Sequence, residues 1–164
     1  TAKKLYDMVA EMAALSGREN VVDLYCGVGP ISIYLAGAAR LVWGIDDGSL
    51  SIDTAKQNSR RNGIGNCRFV EGDVGEKIAE AQKTLGKIDR IVLNPPRKGV
   101  QPAAMDAILA VKAPKIIYVS CEPTSLARDL DKLVTHGYRI ARLQPLDMFP
   151  QTEQVENVVL LERA

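Results

Sequence analysis

Hydrophobic and polar positions follow two patterns that alternate along the chain. Short apolar runs rich in Val, Ile and Leu predict five strands, at 20–27, 41–46, 67–73, 88–96 and 115–121. Each run is followed by residues with helical periodicity, which predict helices at 31–39, 49–62, 75–84, 102–111 and 124–135. An amphipathic helix over 1–16 precedes them.

The chain ends in two further strand-like runs, at 138–147 and 154–163, with no helical pattern between them. Alternation of strands and helices over five units is typical of a parallel sheet with helices on both faces. The final pair predicts an antiparallel hairpin. We therefore predict one α/β domain with a seven-stranded, mostly parallel sheet.

Composition narrows the class of protein. With 164 residues, 46% hydrophobic and 25% charged, the chain fits one globular domain. Its net charge of +1 gives no overall basic field of the kind that marks nucleic-acid binders. No signal peptide is recognisable and no apolar run approaches the roughly 18 residues of a membrane span. We expect no membrane partner.

Three cysteines, Cys26, Cys67 and Cys121, lack the spacing of metal ligands, and His136 is the single histidine. This pattern argues against a zinc site, so no metal is expected. Free thiols favour a reducing compartment, and we expect a cytoplasmic protein.

The first motif is "DLYCGVGP", residues 23–30, at the end of the first strand. Here Tyr25, Gly27 and Gly29 are candidates for cofactor binding, because glycines let the backbone turn tightly and approach a ligand before a helix. Asp46 ends the second strand, where an acidic side chain can bond both hydroxyls of a ribose. The pairing predicts an adenosine-containing cofactor.

Two features distinguish this motif from a nicotinamide site. Position 32 is Ser rather than a third glycine, and Asp73 closes the third strand, where it could accept a hydrogen bond from an adenine amino group. S-adenosyl-L-methionine is therefore the better cofactor prediction.

The second motif is "NPPRKG", residues 94–99, after the fourth strand. Consecutive prolines stiffen the strand exit and hold Asn94 extended, so that its amide faces the crevice where ligands of open α/β sheets bind. A similar Asn-Pro-Pro occurs in methyltransferases acting on amino groups of bases or Gln side chains, usually before an aromatic residue. Arg97 follows here, which counts against that alternative.

Two longer segments, "YVSCEPTSLARDL" and "DMFPQTEQVENVVLL", complete the pattern. With the first two motifs they resemble the S-adenosylmethionine-dependent RNA uracil-5-methyltransferases, which form 5-methyluridine in tRNA and rRNA. The resemblance covers residues 4–163 in order. It implies a Rossmann-like class I methyltransferase fold, whose last strand inserts antiparallel beside the fifth.

By this resemblance, Cys121 is the nucleophile that adds to carbon 6 of uracil, and Glu156 is the base that later removes the proton from carbon 5. The inserted last strand would bring Glu156 to the sheet edge of Cys121 and Asn94. The loop with Phe149 and Pro150 would lie over that edge. We also expect the helix start near Thr124 to lower the pKa of the nucleophile.

The sequence departs from the family at two positions, with Asn94 where many members have Asp and Gln154 where His is common. Family members also carry an upstream RNA-binding β-barrel, so we take residues 1–164 as a catalytic domain from a longer protein. RNA is the expected partner through that full-length protein, and no protein partner is implied. A non-catalytic domain that binds cofactor or RNA stays an alternative.

Overall fold

The computed structural model describes residues 2–148 and 155–164. Its helices are α1 (Ala2–Ala13), α2 (Pro30–Ala36), α3 (Ser49–Arg61), α4 (Val74–Leu85), α5 (Pro102–Val111) and α6 (Pro123–Thr135). Its strands are β1 (Asn20–Leu24), β2 (Leu41–Asp46), β3 (Cys67–Glu71), β4 (Arg90–Leu93), β5 (Lys115–Ser120), β6 (Tyr138–Asp147) and β7 (Val155–Arg163). The predicted order of elements is confirmed.

Several predicted elements were too long, and three of them end early for a local backbone reason. The fourth strand ends at Leu93 instead of position 96, because Pro95 and Pro96 have no N–H for the ladder. The first strand ends at Leu24, because Tyr25 has a φ of 61° and leaves the extended region. The leading helix ends at Ala13, since the next residue has a φ of 48°.

The sheet has the order β3-β2-β1-β4-β5-β7-β6. Strands β1 to β5 are parallel, and β7 pairs antiparallel with both β5 and β6. The predicted seven-stranded, mostly parallel sheet with an antiparallel last strand is confirmed. The reversed direction of β7 brings its amino end to the edge where β5 finishes.

Both faces of the sheet are covered, which explains the nearly continuous apolar runs of the central strands. On β5, Ile116 and Tyr118 pack with apolar residues of α4, α5 and α6, whereas Ile117 and Val119 pack with α1 and α2. This alternation follows the two-residue period of a strand. Helix α3 joins the second face through a small cluster around Phe69.

A buried carboxylate ties β5 and α6 to the β4–α5 loop, which we define as residues 94–101. Asp129 of α6 is 3% exposed. Its Oδ2 accepts hydrogen bonds from the Tyr118 hydroxyl at 2.5 Å and from the Val100 N–H at 2.9 Å. Since a buried carboxylate needs such donors, the loop is fixed to the helix at this point.

A second pair of contacts fixes the same loop further towards its start. The Ser125 hydroxyl donates to the carbonyl of Arg97 at 2.7 Å, and Arg128 Nη2 donates to the carbonyl of Lys98 at 2.6 Å. Gly99 lies so close beneath α6 that a Cβ there would meet Arg128 and Asp129 at 2.5 and 2.6 Å. The loop therefore has little freedom relative to α6.

Within the described part of the chain, none of the helices has the length and apolar character needed to cross a membrane.

Replacing Tyr118 by Phe tests the buried network. We expect Tyr118→Phe to lower the free energy of unfolding by about 1–3 kcal/mol, because the buried Asp129 carboxylate loses a donor. Urea denaturation measures the change. Tyr34→Phe is the matched control: that hydroxyl also donates to an aspartate, Asp7, but on the exposed surface, and should cost less than about 0.5 kcal/mol. Equal effects of the two changes would contradict a special contribution from the buried contact.

Candidate active site

A cleft of about 480 Å³ opens at the carboxyl edge of β1, β2 and β4. This volume lies in the range of roughly 300–1,000 Å³ typical of small-molecule sites. Three of the residues predicted to bind cofactor line it together, Tyr25, Asp46 and Asn94. Pro95, Pro96 and Gly99 of the "NPPRKG" motif also line it, as do two residues that the sequence did not indicate, Asp47 and Gln101.

The glycine turn is held by the carboxylate of Asp46. The N–H of Gly27 donates to Asp46 Oδ2 at 3.0 Å, and the N–H of Gly48 donates to Oδ1 at 2.8 Å. Each carboxylate oxygen can accept a second hydrogen bond. Asp46 therefore both fixes the turn and keeps acceptors for ligand hydroxyls in the cleft.

Gly29 is required by backbone conformation and by packing. It precedes α2 with a φ of 83°, a left-handed conformation that favours glycine. A Cβ at this position would meet the ring of Phe69 at 2.8 Å. Neither Gly27 nor Gly29 lines the cleft. Their contribution to a ligand site is therefore the shape of the turn.

Asp23, beneath this turn, was not recognised from the sequence. It is 1% exposed, and its Oδ2 accepts a hydrogen bond from the Ser32 hydroxyl at 2.6 Å. Its Oδ1 is buried and has no hydrogen-bond partner among the described residues. Burial raises the pKa of this carboxyl to about 7; the hydrogen bonds from Ser32 oppose the rise and the charge of Asp46 adds to it. Its position within the apolar run of the first strand could have indicated a buried carboxyl.

Asp73 has a structural role that the sequence did not indicate. Its Oδ1 accepts a hydrogen bond from the Glu76 N–H at 3.0 Å and caps α4. It does not line the cleft. Burial raises the pKa of the nearby Tyr25 to about 12, with smaller contributions from the charges of Asp129, Asp73 and Asp47. Contact of Asp73 with an adenine stays a prediction.

Cys121 is the exposed thiol of the chain. Cys26 is buried and packs by Phe69 below the glycine turn, and Cys67 is partly buried. Burial raises the pKa of Cys67 to about 11 and that of Cys26 further still, so both stay protonated at neutral pH. Accessibility therefore singles out Cys121 as the available nucleophile.

The position of Cys121 is set by the junction of β5 and α6. The hydroxyl of Ser120 accepts from the Glu122 N–H at 3.0 Å and donates to the Glu122 carbonyl at 3.1 Å, which closes a tight turn around Cys121. Helix α6 begins two residues later, where Glu122 accepts from the Thr124 N–H at 3.1 Å. Activation of the thiol by this helix stays a prediction.

Glu156 lies near the amino end of β7. The antiparallel ladder pairs β5 with β7 up to Ser120 and Asn157, which are the chain neighbours of Cys121 and Glu156. Directly opposed residues have Cα atoms about 4.5–5.5 Å apart, so this last pair brings the end of β5 and the start of β7 together. Glu156 is half-buried, and burial raises its pKa above the ordinary value. A carboxyl with a raised pKa is suited to proton transfer near neutral pH.

Four neighbouring strands thus present their site residues at one edge of the sheet. In spatial order β1 ends before Tyr25, β4 before Asn94, β5 before Cys121, and β7 begins just before Glu156. The cleft lined by Tyr25, Asp46 and Asn94 is at one end of this row, and the thiol and carboxyl are at the other. Phe149, Pro150 and Gln154 lie outside the described residues.

This arrangement matches a known family along the whole chain. The model of the tRNA (uracil-5-)-methyltransferase family matches residues 1–164. The chain belongs to this family. S-adenosyl-L-methionine is the methyl donor of the tRNA (uracil-5-)-methyltransferase family, as the sequence predicted.

Relatives of this chain are named as RNA methyltransferases. An uncharacterized RNA methyltransferase of Geobacter sulfurreducens is 47% identical over 160 residues, covering 98% of this chain and 32% of that protein. One from Gloeobacter violaceus is 44% identical over 163 residues, covering 99% and 35%. The chain therefore spans about a third of the length of the curated relatives it matches.

Solved structures agree with the fold. The tRNA (uracil-54, C5)-methyltransferase of Pyrococcus abyssi, in complex with S-adenosyl-L-homocysteine, superposes with a TM-score of 0.79 and 34% identity over 94% of this chain and 37% of that chain. Precorrin 8w decarboxylase from Methanobacterium thermoautotrophicum reaches 0.80 at 23% identity, covering 100% and 91%. The second likeness shows the fold alone. The Rossmann-like methyltransferase fold is confirmed.

The raised pKa of Asp23 predicts a pH-dependent stability. The unfolded chain releases this proton near the ordinary value of 3.8, whereas the native protein keeps it up to about pH 7. Stability is therefore full below the lower value and falls as pH rises through the higher one. The slope is at most about 1.4 kcal/mol per pH unit. Asp23→Asn should flatten this slope in urea denaturation between about pH 5 and pH 8.

Glu19→Gln is the control for this experiment. Hydrogen bonds from Ser16 lower the pKa of Glu19 to about 2, so its contribution is lost only as pH falls below the ordinary value of 4.5. This variant should keep the native slope above about pH 5. If Asp23→Asn keeps the native slope as well, the buried carboxyl does not cause the dependence.

Proposed function

We propose that the protein transfers a methyl group from S-adenosylmethionine to carbon 5 of a uridine in tRNA or rRNA, through a covalent adduct with Cys121. The observation that supports this proposal is the register of β5 and β7, whose last pair, Ser120 with Asn157, directly adjoins Cys121 and Glu156 in the chain. An exposed thiol beside a carboxyl of raised pKa, next to a cofactor cleft, has the parts that this reaction needs.

The chain offers a fitting site for the methyl donor. The cleft has the volume of a small-molecule site, and Asp46 presents carboxylate oxygens to hydroxyl groups at its wall. The positive φ of Gly27, whose Cβ position is open space, lets the backbone of the turn approach a ligand. When bound there, S-adenosylmethionine supplies an electrophilic methyl group. Tyr25 and Asn94, which also line the cleft, would contact the bound methyl donor.

Cys121 supplies the activation that uracil needs. Carbon 5 of uracil is a poor nucleophile, and addition of the thiolate to carbon 6 forms an enolate in which carbon 5 is electron-rich. Carbon 5 then takes the methyl group, and the intermediate carries both a new methyl and its original hydrogen. The exposed position of Cys121 lets it reach a uridine that is flipped out or in a loop.

Glu156 completes the reaction as a base. It takes the proton from carbon 5, the electron pair re-forms the bond between carbons 5 and 6, and the Cys121 thiolate leaves. The carboxyl must be ionised to accept this proton. Its partial burial raises its pKa and makes it a stronger base than an exposed glutamate.

We also infer that residues 1–164 are the catalytic domain of a longer protein, whose other parts contribute to RNA binding. The coverage of about a third of the relatives' length, 32% and 35% in two of them, supports this inference. Activity assays are therefore best made with the full-length protein.

A mechanism-based RNA tests the nucleophile. With RNA containing 5-fluorouridine and S-adenosylmethionine, the full-length protein should form a stable adduct, because carbon 5 then carries no removable proton. Denaturing gel electrophoresis detects it, and Cys121→Ala should abolish it while Cys67→Ala should not. An adduct that persists in Cys121→Ala would contradict the proposed mechanism. Methylation surviving in that variant would instead favour an amino-group methyltransferase using Asn94, Pro95 and Pro96.

The base is tested with unmodified RNA. Glu156→Gln should accumulate the methylated covalent adduct, because the proton on carbon 5 has no acceptor, and turnover should fall by roughly 10²–10⁴-fold. Glu162→Gln is the control on the same strand, since Glu162 pairs with Arg139 at 3.3 Å on the surface and should turn over normally. Normal turnover by Glu156→Gln would show that another group removes the proton.

A further inference from the structure

Basic side chains gather beside the proposed nucleophile, on the α6 side of the site. Two clefts, of about 480 and 360 Å³, lie between the β4–α5 loop and α6. Lys98 and Arg128 line both clefts, Lys132 lines the larger and Arg97 the smaller. We call Arg97, Lys98 and Arg128 the basic cluster. None of the catalytic steps described above uses it.

The charge of this surface differs from that of the chain. The walls of the two clefts hold four basic side chains and two acidic ones, Glu122 and Asp129, which leaves a local excess of two positive charges. The whole chain has a net charge of only +1. Asp129 is buried beneath the surface, and Glu122 is engaged in capping α6. The exposed surface therefore attracts anions.

Arg128 is held in place by the buried Asp129 and by the main chain of the β4–α5 loop. Its Nε and Nη2 donate to Asp129 Oδ1, both at 3.3 Å, and Nη2 also donates to the Lys98 carbonyl at 2.6 Å. The other oxygen of Asp129 is fixed by Tyr118 and Val100. A surface arginine normally loses rotamer freedom on binding, and an arginine that is already oriented loses less. Its planar guanidinium matches the geometry of a phosphate.

The basic cluster shares the smaller cleft with Glu122, the chain neighbour of Cys121. Arg128 lies five residues into α6 from Pro123, a rise of about 7.5 Å at 1.5 Å per residue. Phosphates of one nucleic-acid strand follow each other at a rise of about 3.4 Å. Phosphates two or three nucleotides away from a uridine at Cys121 would therefore reach Arg128.

We propose that the basic cluster binds the phosphodiester backbone of the RNA next to the target uridine. The inference rests on the proposed function for the identity of the ligand as RNA, and it adds a site within these 164 residues that positions the strand. Phosphate contacts fix the register of a nucleic acid without reading its sequence. The cluster would thus orient the uridine towards Cys121, whichever RNA carries it.

The salt dependence of RNA affinity tests this site. Filter binding of bulk tRNA and of total rRNA is measured over a range of KCl concentrations, with full-length Cys121→Ala protein and no cofactor. Adding Arg128→Gln or Arg97→Gln should weaken binding at low salt about three- to tenfold. Each should also reduce the slope of log affinity against log salt by about 0.7, the value for one lost phosphate contact on a single strand.

Arg97→Gln and a control variant, Lys83→Gln, separate phosphate binding from other causes. Arg97→Gln cannot act by loosening the loop, because the hydrogen bond between Arg97 and Ser125 uses the main-chain carbonyl. Lys83→Gln makes the same change of charge in the last turn of α4, at the opposite edge of the sheet, and should leave affinity and slope unchanged. Native slopes in both Arg97→Gln and Arg128→Gln, or an equal loss in Lys83→Gln, would overturn the proposal.

The readout separates this proposal from the proposed function. Binding is measured without cofactor and without the nucleophile, so failure of methyl transfer to uridine would leave the affinity and slope of each variant measurable. Absence of RNA binding by the parent Cys121→Ala protein overturns the phosphate site directly. The 5-fluorouridine adduct, by contrast, reports only on the chemistry of Cys121.

Discussion

The insertion of β7 between β5 and β6 is the constraint on which the site depends. Strands β1 to β5 all end at one edge of the sheet, so their exits alone place the cofactor cleft, Asn94 and Cys121 there. A further parallel strand would bring only its carboxyl end to that edge. Because β7 runs in the opposite direction, its first residues arrive there instead. A residue from the end of the chain can thus stand opposite the proposed nucleophile.

A second constraint keeps the two halves of the site in a fixed relation. The β4–α5 loop belongs to the cofactor cleft, and α6 follows directly on Cys121. Asp129 joins them, because its buried carboxylate must find donors and takes them from Tyr118 of β5 and Val100 of the loop. The same carboxylate orients Arg128 at the surface. One buried charge therefore connects the core, the cleft and the basic cluster.

The electrostatics of the site follow from burial. Asp23 and Glu156 are both carboxyls whose pKa is raised by burial, but their surroundings differ. Asp23 is fully enclosed, and the Ser32 hydroxyl of α2 donates a hydrogen bond to it. Glu156 is only half-buried, near the amino end of β7 at the sheet edge. Asp46, by contrast, is fixed by two main-chain N–H groups, those of Gly27 and Gly48.

The sequence by itself determined the order of the helices and strands, the parallel character of the sheet and the motifs at its edge, because these depend on local periodicity, glycine and proline. It placed Tyr25, Asp46 and Asn94 correctly in one cleft, since carboxyl ends of parallel strands converge. The hydrophobic pattern predicted only a terminal hairpin. The insertion of the last strand beside β5 was implied by the resemblance to the methyltransferase family. Tertiary structure alone decided the pairing of Asp23 with Ser32 and the contacts of Asp129, because those partners are set by burial and distance in space, which no local pattern records.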